Sequence, residues 1–362
     1  MLELQNESDS LRACAAVGRS VPDANLRGWA ALIDARALEE GLRMSGLAVL
    51  RGERGALALG SIAQIWNAAR SIGAQELMDR AAHVESPAAA NAWKLPRSVL
   101  PARTAVMGIV NATPDSFSDG GKYDPLRQAL LLAEEGADIV DVGGESTRPG
   151  AAEVGAGEER ARTEPVIREL AKRLPKLPIS IDTVKAEVAA AALDAGAEIV
   201  NDVSGLERDP RMAQAARGAA LCLMHMRGTP QDMQTQTSYA DLLGEVQAEL
   251  IEALERACGA GIPEERIAVD PGLGFAKTAE QNLLLLRRLR ELTQLGRPLL
   301  VGASQKSFIG KLTGREAGDR LFGSLAAAAV AAMNGAAVVR VHDVAATREA
   351  LSAVDAVRTS AG

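Results

Sequence analysis

From Thr104 onward the chain repeats one unit eight times, a short β-branched run followed by a longer Ala-, Leu- and Glu-rich stretch. The runs are TAVMGIV, DIVDVGG, PISIDT, EIVNDV, AALCLMH, RIAVDPG, PLLVGAS and AVVRVH. Most are apolar throughout rather than alternating, as strands covered on both faces must be. The stretches between them, such as PLRQALLLAEEG and KAEVAAAALDAG, carry helical periodicity, and Gly136, Gly196 and Gly261 sit where a left-handed cap ends a helix. Eight such units in roughly 250 residues predict a closed α/β barrel, the (β/α)8 or TIM-barrel architecture.

An open doubly wound sheet is the competing arrangement. It is disfavoured because no GxGxxG follows the first run and because polar residues gather at the end of nearly every run. Loops around one barrel mouth need that distribution. The first hundred residues break the pattern. Residues 26–45 read as a helix, 47–61 as two short strands around a Gly-Glu-Arg-Gly turn, 61–84 as helical and 85–103 as a Pro- and Ala-rich linker. We therefore divide the chain into a small α/β extension over 1–98 and a barrel over 99–362.

Several function classes drop out early. A net charge of -7 argues against a general nucleic-acid or membrane-surface binder. Cys14, Cys222 and Cys258 are scattered and form no CxxC, which points away from a disulfide framework or zinc site and toward a reducing cytoplasm. The polar N-terminus lacks the apolar core of a signal peptide, and no apolar run is long enough to span a bilayer. Three of the four phenylalanines, Phe117, Phe275 and Phe308, fall in Gly- and Ser-rich segments, where an aromatic ring either meets a ligand or plugs the barrel mouth.

The strand ends carry the chemistry. After the first strand, residues 111–121 combine turn formers with Asp115, Asp119 and an exposed Phe117, the makings of a mobile lid. After the second, Gly143 and Gly144 permit close backbone approach, and Thr147 and Arg148 offer a hydroxyl and a forked cation. Asp182, Asn201 and Asp270 end three further strands. Any one of them reads as a helix cap, but together on one rim they suit the edges of a nitrogen heterocycle. Arg340 and His342 lie two apart and share a strand face; with Lys306 they predict a cationic corner for a phosphate or pyrophosphate. His225 reads as structural, since no nucleophile accompanies it.

Taken in order, MGIVNATPDSFSDGG, DIVDVGGESTRPGA, ISIDT, NDVSG, LMHMRGTP, DPGLGFAK, GASQKSFIG and VRVHDV resemble the motifs of the dihydropteroate synthases, pterin-binding barrels of folate biosynthesis. The resemblance covers about 104–357. It implies a transferase that condenses 6-hydroxymethyl-7,8-dihydropterin pyrophosphate with p-aminobenzoate in an SN1-like reaction, and it implies a sulfonamide target. On this resemblance Asp182, Asn201, Asp270 and Lys306 bind the pterin, with Met224 and Phe275 lining it. Asn111, Thr147, Arg340 and His342 hold the pyrophosphate, with Asn111 also near Mg2+ as the metal contact. Phe117, Thr147, Arg148, Pro149 and Ser307 form the p-aminobenzoate region, beneath a lid carrying Asp115 and Asp119. The catalytic set is then Asp182, Lys306, Asp119 and Phe117. The resemblance also implies a homodimer, in which the small-residue run GSLAAAAVAAMNGA could allow close helix contacts, and partners limited to small molecules.

Two features depart from the family. Gln305 stands where an arginine is usual, which removes a fixed charge beside Lys306. The N-terminal extension is longer than the family's short lead-in. Two other readings share the pterin-binding floor: a methyltransferase moving a methyl group from methyltetrahydrofolate to a corrinoid, and a non-catalytic pterin-binding paralogue. The first has no use for the SFSDGG and STRPG loops; the second is motivated by Gln305 and the extension.

Overall fold

The computed structural model of the chain describes residues 1–4, 28–33, 41–45, 47–51, 56–85, 93–112 and 124–360. They form two compact units: Met1–Ala90 together with Arg288–Gly296, and Asn91–Arg287 together with Arg297–Gly362. No described helix is long and apolar enough to cross a membrane.

The first unit holds an antiparallel sheet of four strands, β1 (Leu2–Leu4), β2 (Gly28–Ile33), β3 (Ala48–Arg51) and β4 (Ala56–Gly60), in the order β1-β2-β4-β3. The expected hairpin over 47–61 is β3 and β4, paired from Ala48↔Leu59 to Arg51↔Ala56. The expected helix over 26–45 is corrected at Gly28–Ile33, a strand pairing with both β1 and β4, whereas 41–44 are helical and 34–40 lie outside the described residues. A short apolar run such as WAALI fits either period, and pairing on both edges decides it. Helices α1 (Ile62–Ser71) and α2 (Gln75–Glu85) follow, separated at Gly73 (φ 72°). Ser61 starts α1 with a reciprocal cap: its hydroxyl accepts from Gln64 N–H at 3.2 Å, and its own N–H donates to Gln64 Oε1 at 2.7 Å. Within the same unit, the Met1 amino group donates to Gln294 Oε1 at 2.5 Å.

The second unit is the barrel. Its strands are β5 (Ala105–Asn111), β6 (Ile139–Gly143), β7 (Ile179–Asp182), β8 (Ile199–Asp202), β9 (Ala220–Met224), β10 (Ile267–Asp270), β11 (Leu299–Val301) and β12 (Ala336–Val341). All pair in parallel and close as β10-β11-β12-β5-β6-β7-β8-β9. Each lies inside the run assigned to it, apart from Asn111 and Ala336, which each extend a strand by one residue. The longer helices of the unit are α3 (Pro125–Glu134), α4 (Ala156–Arg173), α5 (Ala186–Ala195), α6 (Leu242–Gly259), α7 (Ala279–Arg287), α8 (Ser307–Thr313), α9 (Leu321–Met333) and α10 (Val344–Thr359). Gly136, Gly196 and Gly261 have φ of 95°, 120° and 88°, as the capping reading requires.

At the lower end of the barrel, Trp93 and Leu95 are buried with Met107, Ile139, Ile199, Cys222, Ala268 and Leu300. Trp93 Nε1 donates to Arg266 O at 2.8 Å, and Arg97 N–H donates to Glu198 Oε2 at 2.9 Å. Residues 93–98, taken as extension from the sequence, therefore belong with the barrel. An apolar plug in a Pro-rich segment looks like linker until the cavity it fills is known.

That buried cluster also sets which side chains face inward. Side chains two apart on a strand share a face. Inward Met107 puts Asn111 inward, Ile139 puts Asp141 and Gly143 inward, and Ile199 puts Asn201 inward. By the same step Cys222 brings in Met224, Ala268 brings in Asp270, and Val338 brings in Arg340. A core at one end of the barrel and a polar mouth at the other are thus two consequences of one alternation.

Candidate active site

Arg340 is the hub of the mouth. Its Nε donates to Asp141 Oδ2 at 2.6 Å and its Nη2 to Asp182 Oδ2 at 2.7 Å. Asn201 Nδ2 donates to the same Asp141 oxygen at 3.2 Å. Both carboxylates are buried, so each needs a counter-charge and the guanidinium serves both. Burial pushes the Asp182 carboxyl up, and Arg340 pulls it back. Of the cationic corner expected from Arg340, His342 and Lys306, Arg340 is thus shared with two acids. Two edges of Arg340 are already paired with acids, because a guanidinium facing into a barrel cannot stay uncompensated.

Asp141 is the residue that the sequence reading passed over. It is fully buried and ties Arg340 to Asn201. The local signal was partial: a carboxylate inside an apolar run marks a polar interior, but the partners that give Asp141 its role are distant in sequence.

Asp270 ends β10, and its Oδ1 accepts from Gly272 N–H at 2.7 Å. Burial pushes its carboxyl up while Lys306 opposes the shift. Lys306 donates to Leu273 O and places its ammonium 4.5 Å from the centre of the Phe275 ring. Burial lowers the lysine to about 8, with Asp270 acting against it. A Cβ on Gly274 would stand 3.0 Å from Lys306 Cδ at a φ of 85°, so glycine lets this stem lie across the loop. Phe275, Met224, Val203, Met233 and Ala276 form an apolar cluster. A flat polar ring has hydrogen-bonding edges and apolar faces, and a polar floor beside this cluster suits both.

The loop under Phe275 has its own brace. Lys277, buried, donates to Gly272 O at 3.1 Å, Phe275 O at 3.0 Å and His225 Nδ1 at 2.8 Å. Burial holds Lys277 down to about 7 and His225 to about 4. His225 Nε2 lies 2.9 Å from Glu249 Oε2, close but off the line of a hydrogen bond. His225 is therefore structural, as read from sequence, and Lys277 is its unforeseen partner. Asp202 likewise takes the bland role, accepting from Ser204 and Leu206 N–H at 2.8 and 3.0 Å.

At the rim, Thr147 is half-buried and Arg148, Pro149 and Ser307 are exposed. Gly150 N–H donates to Pro230 O at 3.0 Å, tying the Thr147–Pro149 loop to the neighbouring one. Among the described residues no hydrogen bond joins these four to the floor, but the charge on Arg148 reaches His342. Phe117, Asp115 and Asp119 lie outside the described residues. Phe308 is buried in α8 and plays the packing role. Asn111 is half-buried at the end of β5.

Gln305 adopts a left-handed φ of 59°. Its Nε2 donates to Asp343 Oδ2 at 3.0 Å, its N–H donates to Ser324 Oγ at 3.0 Å, and its carbonyl accepts from Arg320 Nη1 at 2.8 Å. The side chain is thus turned to the foot of α10 rather than toward the floor.

The sequence profile of the pterin binding enzymes matches residues 107–342, the span that carries these side chains. A dihydropteroate synthase of Synechocystis is 49% identical over 261 residues, 70% of this chain and 90% of the relative. The structure is similar to that of the Yersinia pestis dihydropteroate synthase in a sulfonamide drug complex, with a TM-score of 0.70 and 43% identity over 74% of this chain and 99% of that one. It is also similar to the Xanthomonas albilineans dihydropteroate synthase in complex with 7,8-dihydropteroate, with a TM-score of 0.65 and 44% identity over 72% and 95%.

Proposed function

This chain belongs to the pterin-binding enzymes and, among them, to the dihydropteroate synthases, and from that premise we propose how its residues divide the reaction. The enzyme condenses 6-hydroxymethyl-7,8-dihydropterin pyrophosphate with p-aminobenzoate, giving 7,8-dihydropteroate and pyrophosphate for folate biosynthesis. The observation that carries the division is the convergence of Asp182, Asn201, Asp270 and Lys306 on one floor with Arg340.

Asp182 and Asp270 accept from ring N–H and amino groups of the pterin, Asn201 offers a carboxamide, and Lys306 donates to a ring acceptor. Met224 and Phe275 cover its faces. The diphosphate lies toward Arg340, His342, Thr147 and Asn111. There, donors aimed at developing charge stabilise departure. The C–O bond to the diphosphate breaks and its electron pair leaves on oxygen. The cation left behind spreads into the dihydropterin ring beside Asp182. The aniline nitrogen then bonds to the methylene carbon and releases its proton, so no strong base is needed to begin.

Mg2+ fits this site only as a partner of the diphosphate. No group of three His, Cys, Asp or Glu side chains among the described residues could hold a metal, and a single carboxamide suits an ion ligated mainly by phosphate oxygens and water. Asn111 would hold it, and the ion would neutralise charge on the leaving group.

The p-aminobenzoate carboxylate is assigned to Arg148 and the start of α8 at Ser307, with Thr147 and Pro149 along the ring; the resemblance adds Phe117 and Asp119, which lie outside the described residues. We place the reaction in the cytoplasm, where three scattered cysteines without a CxxC suit a reducing environment. A homodimer is supported by α9, where Phe322, Val330 and Met333 are exposed at helical spacing.

Incubating the purified chain with both substrates and Mg2+ tests the assignment. Detection of 7,8-dihydropteroate by mass spectrometry is expected. Its absence, together with methyl transfer from methyltetrahydrofolate to a corrinoid, would overturn it.

A further inference from the structure

Ser304 lies in the turn after β11 and is buried, with 7% of its surface exposed. Its Oγ lies 3.2 Å from the backbone nitrogen of His342 and 3.1 Å from Nδ1 of the same residue. The backbone N–H can only donate, so one lone pair of the hydroxyl is used. Among the described residues the hydroxyl has no other partner. Were Nδ1 protonated, it too would donate to Oγ, and the hydroxyl hydrogen would be buried without an acceptor. That arrangement is the costly one. The alternative satisfies every group: the hydroxyl donates to a bare Nδ1, and the imidazole proton sits on Nε2.

The charge state agrees with this geometry. Burial first, then Arg340, holds His342 to about 4, with Arg148 and Lys306 pushing the same way and Asp343 opposing. Near neutral pH the ring is therefore uncharged and has one proton to offer. Nε2 has no protein partner among the described residues.

We propose that Ser304 is a positioning residue. It locks neutral His342 as the Nε2–H form and fixes the ring plane, so that His342 meets the leaving diphosphate as a hydrogen-bond donor. This rests on the assignment of His342 to the diphosphate. Without the serine, the ring is free to turn an unprotonated nitrogen toward an anion, which repels it.

The test uses the full chain, with 15N-labelled histidine and inorganic pyrophosphate as probe. The protein has three histidines, so His342→Ala assigns the resonance. In the unmodified protein, His342 Nδ1 is expected unprotonated and shifted by an accepted hydrogen bond. In Ser304→Ala that nitrogen moves to its unbonded position, and pyrophosphate affinity falls about tenfold. Affinity for the unphosphorylated pterin alcohol and the KM for p-aminobenzoate stay unchanged, and Ser304→Thr restores much of the loss. The unphosphorylated pterin also reports whether each variant is folded at the site. A protonated Nδ1 in the unmodified protein overturns the proposal. Pyrophosphate affinity lost in His342→Ala but kept in Ser304→Ala overturns the role of Ser304 alone. Affinity kept in both overturns the reading of His342 on which it rests.

Discussion

Asp182 and Arg340 meet across the barrel mouth, Oδ2 to Nη2 at 2.7 Å, from strands separated by two others around the closed sheet. In the proposed division of the reaction, in which Asp182 takes the pterin and Arg340 the diphosphate, this contact joins the two halves. On that proposal, a carboxylate so held would stay near the carbon where positive charge develops. When the diphosphate departs, Arg340 remains to balance Asp182.

Asp182→Asn should therefore weaken pterin binding by about 10- to 100-fold, the range for a hydrogen bond to a charged group. The KM for p-aminobenzoate should change far less. Calorimetric titration with the pterin, alongside initial rates, checks both. Equal losses for the two substrates would contradict a floor devoted to the pterin.

Asp141 has no proposed contact with substrate, and its substitution separates support from binding. Asp141→Asn leaves one edge of a buried guanidinium without its carboxylate, at a cost of about 3 kcal/mol. Thermal unfolding of the variant, with and without pterin, measures it. An unchanged Tm would mean that Asp182 alone suffices for Arg340.

The acid limb of stability should carry a histidine contribution. His225 is held to about 4 in the fold against an ordinary 6.5. Between those values the unfolded chain binds more protons, so stability rises with pH there and is lost as pH falls from about 6.5 toward 4. The size is about 3 kcal/mol for a group this buried. NMR titration of the ring is the check. Protonation near 6.5 in the folded protein would remove the effect.

On the alkaline side, Lys306 at about 8 loses its charge above that pH. The kcat/KM for the pterin pyrophosphate should fall above about pH 8, because it reports the free enzyme. In the complex the anionic substrate favours the charged lysine, so kcat should hold to higher pH. A kcat/KM that is flat through pH 9 would argue against a charged Lys306 in substrate capture.

Much of this was legible from sequence, and the failures have physical causes. The eight barrel strands were readable because strands covered on both faces are nearly uniformly apolar, and their ends because polar residues there interrupt the run. Gly28–Ile33 was misread because WAALI has no period long enough to choose between helix and strand. Trp93 was missed because nothing local distinguishes a plug from a linker. Asp141 and Lys277 were missed for a shared reason: each is defined by partners distant in sequence, Arg340 and Asn201 for one, His225 for the other.

Gln305 is the departure that the structure answers best. Its side chain donates to Asp343 at the start of α10 instead of reaching the floor. Gln305→Arg should then change kcat/KM by no more than about threefold, since an arginine there would pair with the same aspartate. A tenfold gain would show that charge at this position belongs to the reaction.

The central claim, that this barrel catalyses the condensation rather than merely holding a pterin, is tested most directly by pyrophosphate release. The purified chain is given the pterin pyrophosphate and Mg2+, with and without p-aminobenzoate. Release accompanied by an equal amount of 7,8-dihydropteroate when p-aminobenzoate is present is the predicted result. Saturable pterin binding with no release under either condition would contradict it and favour a silent pterin-binding paralogue.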